Sequence, residues 1–184
     1  MPPLGDRELT PDQQRALQRI TAGPRGKLLG PFAVLLRTPG LMDRVQEVGA
    51  YLRYEKALEP RLFELVVLMV ARRWDQDFEW AHHHPLALAA GLPPDVVEAV
   101  GEDRREETTD QAVALVWELV DQLQRRGGID DDVYARAVRQ LGEEGVIEVV
   151  VAVGYYTTLA LVMNVARTPP EAGPKLPPRA GVDA

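Results

Sequence analysis

Few side chains in this chain of 184 residues can move a proton near neutral pH. There is no cysteine, and the only three histidines are consecutive, His82, His83 and His84. They follow an acidic, aromatic stretch, Asp75-Gln76-Asp77-Phe78-Glu79-Trp80. Before that lies a very apolar run, Leu62-Phe63-Glu64-Leu65-Val66-Val67-Leu68-Met69-Val70-Ala71, interrupted by the single carboxylate of Glu64. A helix apolar on every face is buried all round. A carboxylate inside it needs a partner or a proton, because desolvation disfavours its charged form and raises its pKa. An arginine partner or the dipole near the helix start would also satisfy it.

On the helix expected next, Gln76, Glu79 and His83 fall at i, i+3 and i+7 and share one face. Glu79 is one turn from His83, close enough to orient its ring and favour its charged form. Successive helical side chains diverge by ~100°, so His82 and His84 point elsewhere and the triplet cannot converge on one metal ion. Glu64, Glu79 and His83 together could hold a divalent ion, but no second histidine shares their face. No metal and no cofactor are therefore expected.

The elements that must position these groups all read as helices. Thr10-Pro11-Asp12-Gln13 has the pattern of a capping box, and Gly23-Pro24 ends the helix it starts near Ala22. A short helix begins near Pro31. Thr38-Pro39 opens the next, with Leu41, Val45, Val48 and Leu52 as its expected buried face. Glu59-Pro60 starts a helix to about Trp74, and Gln76 to Ala90 is followed by Gly91 and two prolines, a usual stop. Further helices are expected over 93–100, from Thr108 to Arg126, from an Asp130 cap to Leu141, and from Val146 to about Ala166. No segment alternates long enough to require a strand. The reading is an all-α single domain over 1–167. Five prolines from Thr168 onwards forbid helix, so 168–184 is a tail that either lacks order or lies across a neighbouring subunit.

Composition narrows the classes of function. A net charge of −7 and scattered arginines argue against nucleic acid. No apolar run approaches the ~18 residues that cross a bilayer, and residues 1–6 show no secretory signal. A soluble, cytoplasmic protein with a small-molecule substrate is the expectation, without membrane or nucleic-acid partners.

The spacing Glu-x11-Gln-x2-Glu-x3-His, from Glu64 through Gln76 and Glu79 to His83, resembles the carboxymuconolactone decarboxylase/AhpD-like family. AhpD-like members carry Glu-x11-Cys-x2-Cys-x3-His as a proton relay and redox pair. The flanks are also similar: the Glu-Leu-Val-Val-Leu run before, and Glu-Trp-Ala-His with Ala-Leu-Ala-Ala-Gly-Leu-Pro after. The resemblance is specific over about 51–100 and extends more faintly to Val165, through Tyr155-Tyr156. It implies an AhpD-like multi-helix fold with an antiparallel helix-hairpin core, and a homo-oligomer, trimer or hexamer. Glu148 before Val149-Val150-Val151 echoes Glu64, as the faint second half of a repeat whose counterpart of His83 is Arg167.

Both cysteine positions of the family pattern are replaced here, by Gln76 and Glu79. Thiol peroxidase chemistry needs a thiolate that this chain lacks. What the resemblance implies instead is a decarboxylase-type, cofactor-independent acid/base enzyme acting on a small carboxylated or carbonyl compound, as decarboxylase, isomerase or lactone hydrolase. In that reading Glu64, Glu79 and His83 are catalytic: His83 moves the proton, Glu79 sets its charge and orientation, and Glu64 shares or relays the proton. Gln76 binds a substrate oxygen and Arg37 a substrate carboxylate. The competing readings are a helical oligomer that binds a small ligand or partner without turnover, and a metal-dependent enzyme.

Overall fold

The computed structural model describes residues 1, 4, 9–170 and 172–179, among which there are eight helices and no strand. The remainder, including most of the N-terminal hexapeptide and 180–184 of the tail, lies outside the described residues. The helices are α1 (Pro11–Ala22), α2 (Pro31–Leu35), α3 (Pro39–Tyr54), α4 (Pro60–Arg73), α5 (Asp77–Ala89), α6 (Pro94–Gly101), α7 (Gln111–Arg126) and α8 (Asp131–Ala166). They fall into two compact units, Met1–Lys56 with Thr158–Thr168, and Ala57–Thr157 with Pro169–Ala184.

In the first unit, α1 and α2 pack against α3. The Thr10 hydroxyl accepts from the Gln13 N–H while the Gln13 side chain accepts from the Thr10 N–H, so the capping box forms as its sequence predicts. Of the residues expected on the buried face of α3, Leu52 is buried and the rest of that face differs. Met42, Gly49 and Leu52 are buried, whereas Leu41 and Val48 are exposed.

In the second unit α4 is the centre, packed by α5, α6 and α7. Every residue from Leu62 to Arg72 is buried, as a helix apolar on all faces requires. Asp110 caps α7 by accepting from the Ala112 and Val113 N–H groups. The expected start at Thr108 is displaced because that hydroxyl accepts from the Asp110 N–H instead. Gly142 has φ 73° and interrupts α8, so the break expected between Leu141 and Val146 is present inside one long element.

An 18-residue window of α8 has a mean hydropathy of 1.9, which makes this helix long and apolar enough to cross a membrane by length and composition. The sequence expectation of no such segment is corrected on this point. Thr157, Thr158 and Asn164 interrupt the apolar run without ending the helix. Val149, Ala152, Tyr155, Tyr156, Leu159, Ala160 and Met163 are buried in the protein.

Residues 172–179 of the tail lie against their own chain. Arg179 pairs with Asp75 and Asp103 and donates to the Arg72 carbonyl, and the Pro177 carbonyl accepts from Arg72. Pro85 lacks the N–H that would bond the Ala81 carbonyl. At that carbonyl the tail passes so closely that a Cβ on Gly173 would sit 3.2 Å from the oxygen.

Candidate active site

The α4–α5 hairpin positions the site. Gln76 is the N-cap of α5: its side-chain oxygen accepts from the Phe78 N–H at 2.8 Å. The turn at 74–76 lies midway between Glu64 and His83, so two antiparallel helices bring these residues side by side. His83 Nδ1 lies 2.6 Å from Glu64 Oε2. Both are buried, His83 at 3% and Glu64 at 8% exposure. The partner that Glu64 needs is therefore His83.

Glu79 differs from the expected arrangement. It is buried, and neither carboxyl oxygen has a hydrogen-bond partner among the described residues. Desolvation pushes its pKa well above the usual carboxylate range, favouring the neutral acid. Glu64, and not Glu79, holds the His83 ring. An i, i+4 neighbour was the nearer candidate in sequence, but the hairpin supplies one whose oxygen meets Nδ1 directly.

Aromatic rings close around the pair. Tyr156 of α8 packs edge-on to His83 at 5.3 Å between centroids and to Phe63 at 5.7 Å. Tyr156 was not a candidate in the sequence, although its doublet with Tyr155 in a buried helix was a visible signal. His82 stacks on Phe78 and His84 packs against Trp80, so both flank the site as packing residues. Glu148 accepts from the Ala57 and Leu58 N–H groups at 3.0 and 2.9 Å. It fixes the segment leading into α4, which gives the echo of Glu64 a structural job. Arg37 is half-buried beside α2 in the first unit. Glu64, Gln76, Glu79 and His83 all belong to the second.

Among the described residues no group of three or more His, Asp or Glu side chains is placed to hold a metal ion. The arrangement contains a carboxylate–imidazole pair, a desolvated carboxyl group one turn away, and apolar walls. Such a set can transfer a proton and hydrogen-bond an oxyanion.

The sequence model of the carboxymuconolactone decarboxylase family matches residues 39–115. Over this segment the chain is similar to the carboxymuconolactone decarboxylase family. The segment holds all of α3, α4, α5 and α6 and the start of α7, and with them Glu64, Gln76, Glu79 and His83. The all-helical structure agrees with the AhpD-like fold that the resemblance implies. Among curated proteins, none matches the chain. Within the matched segment, the side chains at the two positions where AhpD-like members carry cysteine are a helix cap, Gln76, and a buried acid, Glu79.

Proposed function

We propose that the protein is a cofactor-independent acid/base enzyme acting on a small carboxylated or carbonyl compound. The observation that carries this reading is the buried Glu64–His83 pair beside the desolvated carboxyl of Glu79. Glu64 fixes the ring through Nδ1, so proton exchange with substrate runs through Nε2. As a neutral acid, Glu79 donates a hydrogen bond to an oxygen that gains negative charge.

A decarboxylation uses all three groups. The bond between the α-carbon and the carboxylate breaks, carbon dioxide leaves, and the electron pair stays behind as an enolate. Glu79 hydrogen-bonds the enolate oxygen, and protonated His83 gives its Nε2 proton to the carbon. Glu64 balances the positive charge of the ring before transfer, and solvent restores the proton. Isomerisation of a related lactone uses the same groups: neutral His83 takes a proton from one carbon, Glu79 hydrogen-bonds the enolate oxygen, and His83 returns the proton at another carbon. Gln76 has its side-chain oxygen on the α5 cap, so that oxygen holds the start of the helix carrying Glu79 and His83.

The test is a panel of lactones and β-keto acids incubated with the full chain in heavy water. Carbon dioxide release with deuterium at the product carbon supports the proposal. Turnover that survives His83→Ala and Glu64→Gln sinks it.

We also propose that the protein self-associates. Ile147, Val151, Gly154, Thr158, Leu161 and Val165 are all exposed on α8. Their spacing of four and three residues in alternation is the seam of a helix that packs along another helix. The low exposure of Glu64, Glu79 and His83 favours one alternative, an oligomer that binds a small ligand without turnover.

A further inference from the structure

The far end of α4, the end of α6 with the turn after it, and the second half of α7 enclose a cavity of about 280 Å³. It lies apart from the acid/base site: Arg72 is eight residues beyond Glu64, which on an α-helix is ~12 Å along the axis. Met69, Val100 and Trp117 give it apolar, largely buried walls. Five arginines line it, in a chain whose net charge is −7.

Three of these arginines are already paired. Arg72 bonds Asp75, Arg104 bonds Glu102 and Glu106, and Arg125 bonds Asp121. The two acids on the wall are paired as well, Asp121 with Arg125 and Asp103 with Arg179 at 2.6 Å. That leaves Arg73 and Arg105, both exposed and neither with an acidic partner among the described residues. Asp103 has φ 56°, a left-handed turn that an aspartate tolerates, and Arg104-Arg105 follow directly. The buried polar atoms on this wall that lack a partner among the described residues, Arg72 Nε and Gln124 Nε2, are both donors. Donors are in excess here, and acceptors are not.

We infer that this cavity binds a small organic dianion, a flat apolar body against Trp117 with one acid group on Arg73 and another on Arg105. Guanidinium groups take carboxylates two bonds at a time and stack on planar groups. The volume sits just below the ~300–1,000 Å³ of ordinary ligand clefts, which limits the body to about one ring. The overall negative charge of the chain repels anions at long range, so recognition rests on these two local groups.

Calorimetric titration of the full chain at low salt tests this, with isophthalate as the probe and benzoate and inorganic phosphate as comparisons. Isophthalate is expected to bind at one site per chain, at least tenfold tighter than benzoate or phosphate, and to weaken as salt screens the contacts. Arg73→Gln and Arg105→Gln each weaken it tenfold or more, with unchanged circular dichroism because both side chains are exposed. Trp117→Phe removes the fluorescence change on binding. Glu64→Gln binds isophthalate as the wild type does, which separates this site from the acid/base pair. Absence of isophthalate binding at millimolar concentration overturns the inference. So does full affinity in the double arginine variant, or phosphate binding as tightly as isophthalate.

Discussion

His83 Nδ1 sits 2.6 Å from Glu64 Oε2 across the α4–α5 hairpin, with both side chains almost wholly out of water. This contact makes a lone carboxylate tolerable in the stretch from Leu62 to Ala71, which is otherwise apolar on every face. The carboxylate and the imidazole are thus each other's structural solution, and the same contact orients the ring for proton transfer.

Removing one member leaves the other buried without its partner. Glu64→Ala is expected to cost about 3–5 kcal/mol, the usual result of breaking a buried pair. Glu64→Gln keeps a hydrogen-bonding group and is expected to cost less, while turnover falls by about 10²–10⁴. Denaturant melts alongside substrate turnover separate the two effects. Equal loss of stability in both variants, with activity retained in Glu64→Gln, goes against the assigned role.

Glu79 makes a prediction about pH with a definite sign. Its folded-state pKa is raised by desolvation above the ordinary glutamate value of 4.5. Below that value both folded and unfolded chains carry the proton, and this group contributes no pH dependence. Above it the unfolded chain releases the proton and the folded chain retains it, so stability falls as pH rises towards the folded pKa. Glu79→Gln removes this decline. Melting temperatures of wild type and variant are expected to differ by a quantity that shifts in the variant's favour from pH 4.5 upward. A difference that does not change with pH contradicts the assignment.

The helices were legible in the sequence because their signals are local. Pro11, Pro31, Pro39 and Pro60 all stand at helix starts, and Leu62 to Arg72 is buried all round. The pairing of Glu64 with His83 was less legible. Spacing within α5 favoured Glu79, and only the hairpin brings α4 alongside. The buried face of α3 and the path of the tail were not legible, because each is decided by what packs against it. Arg179 finds Asp75 and Asp103 about a hundred and about seventy-five positions away in sequence, and no local pattern announces such contacts.

Gly101 offers a test of the tail contact in which two effects oppose. A Cβ there would lie 3.0 Å from Trp80 Cη2 and 3.3 Å from Pro177 Cδ. Gly→Ala in a helix gains up to ~1 kcal/mol from propensity alone. Forcing an extra group into tight packing costs about 1–3 kcal/mol. Gly101→Ala is therefore expected to be neutral to destabilising by about 2 kcal/mol, with faster trypsin cleavage after Lys175 as the tail lifts. Arg179→Ala is expected to speed the same cleavage at a cost of about 1 kcal/mol or less, since its ion pairs are partly exposed. A stabilised Gly101→Ala with unchanged cleavage means that the tail does not press on α6.

The exposed seam of α8 gives the last test. Ile147 is 61% exposed and Val165 71%, and Val151 and Leu161 lie between them on the same stripe. Solvent-facing positions usually tolerate substitution within about 0.5 kcal/mol. Lysine at Val151 and Leu161 is then almost neutral for the fold of one chain. In a helix–helix interface the same change places charges in an apolar seam, at a cost of several kcal/mol. Light scattering of the eluting protein is expected to give a whole-number multiple of the chain mass for the wild type. The double variant Val151→Lys, Leu161→Lys is expected to elute as a single chain with its helix content intact. A wild-type monomer, or a double variant of unchanged mass, removes α8 as the surface of self-association.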